Sequence, residues 1–304
     1  MLFRPLIQRA VLAQFTASSV RRFSAAAMAT PPQSFVLDRS LFNQSLYDEL
    51  RNFWFDGLSD QTTSPPFTLM QKWFGVGKTD AERAAFDDEC RAKFGAALES
   101  VGPKHLALPP FMSYESDIAN ASTIAAPFVA EVQTARKEDD KKGAETLLSL
   151  ILLLDQMPRN IHRDPEGLKL LYSFYDRLGF ALLQNTLATS PELLKVWRGS
   201  VLYGPWLNMP FVHSEHEPSH RYIKEDMEKQ KAEIQAASGD EDALNYVDRA
   251  LKSYDQHREP IEKFGRYPHR NECLGRQNTK EEEKYLETAE TFGVKQKSSK
   301  KDEL

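Results

Sequence analysis

Residues 261–276, reading IEKFGRYPHRNECLGR, gather five basic side chains, Lys263, Arg266, His269, Arg270 and Arg276, around the turn-formers Gly265, Pro268 and Gly275. Two earlier segments share that chemistry, LLDQMPRNIHR at 153–163 and PFVHSEHE at 210–217. Guanidinium forks match carboxylates and phosphates in bidentate geometry, so converging arginines would make a site for a small anion. Arg159, Arg163, Arg266, Arg270 and Arg276 all fall at predicted helix ends or turns. Those positions have a second use, because a helix C-terminus offers free carbonyls and a negative dipole end to a nearby cation. Asp155, Glu215 and Glu262 could also pair with these arginines internally, so a structural ion network stays open beside anion binding.

Proton transfer is the other chemistry these segments carry. Histidine titrates near neutral pH and serves as general acid or base, and a nearby carboxylate makes it a proton-transfer pair. The catalytic candidates are therefore His213, Glu215 two residues after it, and His269. The ligand-binding candidates are Asp155, Gln156, Arg159, Asn160, Arg163, His257, Arg266, Arg270 and Asn271. The bland alternative is that the histidines are satisfied core residues and that Asn160 and Asn271, each following an arginine, serve turns and caps.

Other chemistries find less support. His213-Ser214-Glu215-His216 holds metal-ligand types, but the spacing matches no ligand signature, so no metal is expected. No G-x-S-x-G elbow exposes a serine. The segment GVGKT at 75–79 ends like a phosphate loop, but its first glycine is misplaced and no strand precedes it. Cys273 reads as a small buried residue beside its arginines. No motif names a cofactor.

Composition sets bounds. A chain of 304 residues with a formal net charge of -5 can bury a sizeable core. It lacks the basic excess that nucleic-acid binding needs. Two distant cysteines, Cys90 and Cys273, fit neither a disulfide framework nor a zinc knuckle. The longest apolar run, around 147–154, is far short of the ~20 residues that span a bilayer, so no membrane partner is expected. Residues 1–37 carry Arg4, Arg9, Arg21 and Arg22, many Ser and Ala, and no acid before Asp38, which is the composition of a mitochondrial transit peptide. Met28 offers an internal start and a cytoplasmic form. The last four residues, KDEL, would hold the chain in the ER lumen if it entered the secretory pathway. The remainder divides into one all-α domain at 38–293 and a charged, disordered tail at 294–304.

Helical periodicity dominates that domain. Residues 38–55 and 240–263 are clear amphipaths, and 164–182 opens on the cap pair Asp164-Pro165. Ser190-Pro191 opens another helix running towards Leu202 in the same way. Capping boxes stand at Thr79/Glu82 and Thr279/Glu282. Residues 143–157, rich in leucine, predict a helix buried all round that ends by Met157, since Pro158 disfavours helical geometry before it. Residues 101–142, rich in Pro, Ser and Ala and then in charge, read as a long surface loop or insertion that could carry short helical turns. Helix pairs with short connections make an antiparallel bundle or solenoid-like stack, without a repeat of fixed period.

Taken together, LLDQMPRNIHR, PFVHSE and EKFGRYPHRNECLGRQNTKEEEKYL resemble the DUF924 family, as do FWF at 53–55 and KWFG at 72–75. The resemblance covers roughly 46–286. It implies a TPR-like α-helical fold and no established activity, cofactor or catalytic residue. The chain departs from the family pattern in a longer 101–142 region, and in His216, Pro218 and His220 after the HSE triplet. Two functions remain open. One is a pocket binding or processing a small anionic ligand, with Arg159, Arg266 and Arg270 on the anion and hydrolysis or group transfer as the reaction class. The other is a non-enzymatic TPR-like module for a peptide or protein partner, with Trp54, Trp73, Trp197 and Trp206 lining a concave surface.

Overall fold

The computed structural model describes residues 35–62 and 64–289. The transit-peptide, tail and KDEL expectations lie outside these residues, except that 35–37 are described and Leu37 is already buried in the core. The helix opened by the Thr279/Glu282 box ends at Leu286, well before the domain's expected limit at 293.

Every regular element among the described residues is helical. The chain runs α1 (Gln44–Phe55), α2 (Phe67–Phe74), α3 (Asp80–Ser100), α4 (Tyr114–Ala119), α5 (Ala121–Ile124), α6 (Ala126–Arg136) and α7 (Asp140–Ile151). It continues through α8 (Met157–Ile161), α9 (Pro165–Leu170), α10 (Asp176–Thr189), α11 (Gly204–Leu207) and α12 (Met209–Val212). The long helices α13 (Glu217–Ala237) and α14 (Glu241–Phe264) and the short α15 (Lys280–Leu286) complete it.

The central element is α7. Leu147, Leu148, Ser149, Leu150 and Ile151 have no solvent exposure, and neither do Leu152, Leu153 and Leu154 beyond them. A helix buried on every side needs neighbours on every side, and α1, α6, α10 and α11 pack against it. Asp139 caps it by accepting from Lys142 N at 2.7 Å.

The helix does not stop before Pro158. Residues Leu152–Gln156 widen into a π turn, with Met157 N–H bonded to Leu152 O, and α8 carries Pro158 near its start. A proline is tolerated near a helix start, where its missing N–H has no partner to lose. Two carbonyls of this turn accept from side chains: Arg159 Nη1 donates to Asp155 O at 2.8 Å and Asn160 Nδ2 donates to Gln156 O at 2.9 Å. A second π turn, Leu171–Tyr175, joins α9 to α10.

Residues 101–142 are not one long loop. After an irregular stretch the chain forms α4, α5 and α6 in close succession, and α7 begins within the range. Asn120 and Ala125 break the helical run into pieces too short for a clear period, and Ser113 and Pro127 mark two of the starts. A buried carboxylate fixes this region: Asp117 accepts from Arg177 Nε at 2.8 Å and Nη2 at 2.9 Å. The helix expected from Ser190 to Leu202 shrinks to one 3-10 turn, Leu193–Lys195, followed by turns.

Both expected capping boxes are formed, at Thr79/Glu82 and Thr279/Glu282. All four tryptophans are buried, so none stands exposed on a concave face. No helix among the described residues is long and apolar enough to cross a membrane.

Candidate functional site

A cleft of about 2010 Å³ is lined by the two π-turn regions, α2, α11, α12, α13, α14 and the 267–270 turn. Its wall includes Gln156, Arg159, Asn160 and Arg163 from the end of the core helix, and Tyr172 from the second π turn. His213 enters after α12, His257 from α14, and Tyr267, His269 and Arg270 from the turn beyond α14. A π turn inserts one residue and rotates the helix beyond it, which is why such turns recur at functional positions.

Asp155 has no solvent exposure and reaches the cleft through His213. His213 Nδ1 lies 2.9 Å from Asp155 Oδ1 and 3.0 Å from Oδ2, and Gln156 Nε2 donates to Oδ2 at 2.6 Å. Burial works to raise the Asp155 proton affinity, but the charges of Arg159 and His213 and the hydrogen bonds overcome it and hold the carboxyl below its usual range. An ionised Asp155 can only accept, so Nδ1 of His213 carries the proton and Nε2 presents its lone pair. Burial, and then the Arg159 charge, push His213 below its ordinary value against the pull of Asp155, so the imidazole is neutral at pH 7.

Two arginines share the carboxylate of Asp176. Arg159 Nη1 donates to Oδ1 at 2.7 Å, and Arg270 Nη1 lies 3.6 Å from Oδ2, beyond hydrogen-bond reach. Arg270 is only 5 % exposed, and its guanidinium is held between two rings, 4.3 Å from the Tyr172 centroid and 4.4 Å from that of Tyr267. Stacking holds the plane and leaves the edge donors unused. Arg270 Nε and Arg159 Nη2 are both buried without a hydrogen-bond partner.

The clamp is itself braced. Gly265 closes α14 at φ 68°, a left-handed geometry that glycine adopts without a Cβ penalty, and turns the chain into Tyr267. Tyr267 then donates from its hydroxyl to Val212 O at 2.6 Å and from its N–H to Glu215 Oε1 at 2.9 Å. Glu215 also accepts from Arg276 Nη1 at 2.6 Å and Nη2 at 2.8 Å. Burial works against its charge, but the Arg276 hydrogen bond and the Arg270 charge keep its carboxyl below the usual range.

The candidates therefore separate. Gln156, Arg159, Asn160, Arg163, His213, His257, His269 and Arg270 line one cleft, with Asp155 directly behind His213. Three others are held elsewhere. Glu215 is enclosed by Arg276 and Tyr267 and forms no pair with His213, because neighbours two apart leave α12 in different directions. Arg266 forks onto Glu282 at 2.7 and 2.8 Å. Asn271 is buried and bonds Asn278 at 2.7 Å. Arg163 keeps a place on the wall but forks onto Asp87 at 2.9 and 3.0 Å. His269 is pushed down to about 2 by burial and then by the Arg270 charge, so it stays uncharged at neutral pH. His257 is pushed down to about 3 by burial and the neighbouring His213, whose ring lies 6.2 Å away.

Sequence reasoning missed Tyr172 and Asp176, which complete the arginine cradle. Asp176-Arg177 is a charged pair inside the apolar run LLYSFYDRLGF, and a charge in the middle of a core helix was the available signal. No group of metal-ligating residues is assembled among the described residues.

These features define a fold that is helical throughout the described residues, with an arginine-walled cleft and a histidine–carboxylate pair at its side. The chain belongs to the family described as "Bacterial protein of unknown function (DUF924)", whose pattern it matches over residues 50–290. Neither a curated protein nor a solved structure matches it.

Proposed function

We propose that the cleft binds a small molecule bearing a phosphate or carboxylate, with Arg159 and Arg270 on the anion. His213, oriented by Asp155, then acts on that ligand as general base in a hydrolysis or group transfer. The observation that carries the reading is Arg270, a buried guanidinium stacked between Tyr172 and Tyr267 with Nε unpartnered and its carboxylate 3.6 Å away. Leaving a buried charged donor unsatisfied costs about 1–3 kcal/mol or more, a cost that an anion in the cleft would offset. His213 supplies the second half, because Asp155 fixes the proton on Nδ1 and frees Nε2.

The test is a thermal-shift screen of phosphorylated and carboxylated metabolites on the natural chain, Arg270→Ala and Arg270→Lys. Ligand at a hundred times its Kd stabilises by about 2.7 kcal/mol. A stabilising anion should lose its effect in Arg270→Ala, and in Arg270→Lys, where a point charge cannot stack between rings. His213→Gln should keep the shift and lose turnover. If no anion stabilises the natural chain, or the shift survives Arg270→Ala, the reading is wrong.

A second reading keeps the TPR-like stack and its peptide or protein partner. The closely packed helix pairs α6–α7 and α13–α14 support it, and the burial of all four tryptophans counts against it.

A further inference from the structure

The cleft is larger than a small anion needs. Ligand cavities run to about 300–1,000 Å³, and this one measures about 2010 Å³. Its wall is also divided by chemistry. The arginines, histidines and tyrosines described above form one end, and Trp73, Phe74, Val76 and Trp206 belong to the other, with Lys78 and Arg83 also on the wall there. Met209 and Val212 line the path between Trp206 and His213 along α11 and α12, so the two ends are continuous.

The apolar end is open to an occupant. Phe74 is 57 % exposed and Val76 is 50 % exposed, both on the rim at the end of α2. Phe74 stacks over Trp206 with ring centroids 6.3 Å apart and planes at 16°. Exposed apolar side chains at the rim of a cleft are surface that a ligand would remove from water. Trp206 is otherwise buried, and its Nε1 has no hydrogen-bond partner.

From this division we infer that the ligand is an amphiphilic anion, one small molecule with a phosphate or carboxylate head at Arg159 and Arg270 and an apolar chain along Trp206, Phe74 and Val76. The inference rests on the anion reading of the same cleft. It adds the class of the ligand's body.

A series of alkyl phosphates, from methyl through butyl and octyl to dodecyl, tests it by calorimetry with each compound below its micelle concentration. Each buried methylene is worth about 0.8 kcal/mol, so affinity should rise about fourfold per added carbon until the cleft is filled. Phe74→Ser with Val76→Ser, both at exposed positions, should flatten that rise and leave methyl phosphate unchanged. Arg270→Ala should weaken the whole series. Equal affinity for methyl and dodecyl phosphate would overturn the chain and leave the anion site standing. Long chains that bind Arg270→Ala as well as the natural protein would overturn it too, as simple adsorption to apolar surface. If no member of the series binds, both readings fall.

Discussion

Asp155 meets the His213 ring with both carboxylate oxygens, at 2.9 and 3.0 Å from Nδ1, from a position without solvent exposure. This contact fixes the imidazole's tautomer and its orientation together. Burial and Arg159 lower the proton affinity of His213, while Asp155 raises it, and the balance falls below the ordinary value of 6.5. The imidazole of His213 should therefore titrate below 6.5 by nuclear magnetic resonance. In Asp155→Asn the midpoint should fall further, since the stabilising negative charge is gone. A midpoint at or above the ordinary value in the natural chain would remove His213 as a base that is ready at neutral pH. Where turnover is found, His213→Gln should lower it by about 10²–10⁴-fold.

The buried histidines also set how stability depends on pH. Burial pushes His220 down to about 4 and His269 down to about 2. Their folded values lie below the unfolded one near 6.5, so the unfolded chain binds more protons across that interval. Stability is then full above about pH 6.5 and declines as pH falls, by about 1.4 kcal/mol per unit for each such histidine. These two alone give about 2.7 kcal/mol per unit between about pH 6 and 4. Urea denaturation at about pH 7.5, 6 and 5 reads the slope. Equal unfolding free energies at the three values would contradict neutral burial of His220 and His269.

How far the sequence carried can be judged residue by residue. Caps are local chemistry, and Thr79/Glu82 and Thr279/Glu282 stand where their spacing placed them. The all-round burial of 147–154 followed from its leucine-rich, hardly β-branched sequence. Continuation through Pro158 did not, because the π turn that carries the helix past it, closed by Met157 N–H on Leu152 O, has no local sequence signal. α4 and α5 are far shorter than the window that periodicity needs, and α6 only just reaches it. For the arginines, sequence offered anion binding and internal pairing as alternatives. Which carboxylate lies beside each guanidinium is a tertiary fact: Glu282 reaches Arg266, Glu215 reaches Arg276, and Arg270 is left between two rings.

That sorting gives a comparison between two arginines four residues apart. Arg266 forks onto Glu282, which also accepts from Thr279 N at 2.7 Å in the capping box of α15. The Arg266 hydrogen bond and the backbone bond hold the Glu282 carboxyl down at about 2, against burial. Arg266→Ala should therefore leave the Tm rise given by any anion intact, although it loosens α15. Hydrogen exchange should quicken at Lys280–Leu286 in Arg266→Ala, and more in Glu282→Gln, where the cap is lost as well. An anion whose stabilising effect disappears in Arg266→Ala as fully as in Arg270→Ala would restore Arg266 to the site.

The ion pair Asp117–Arg177 should govern folding more than any single contact in the cleft. Both residues are buried, the fork closes at 2.8 and 2.9 Å, and Arg177 Nη2 also donates to Pro109 O at 2.8 Å. The pair ties α4 and the irregular stretch before it to α10, the helix that also carries Asp176. Removing one partner leaves an uncompensated charge in the interior, which costs about 3–5 kcal/mol. Asp117→Ala should therefore lower the unfolding free energy by about that amount in urea. Replacing both partners with apolar side chains, as in Asp117→Leu with Arg177→Met, removes the buried charge altogether and should recover much of the loss. If the single variant is as stable as the natural chain, the fork is a surface-like pair of little weight. If the double variant is no better than the single one, the geometry of the fork, and not the buried charge, is what holds α4 in place.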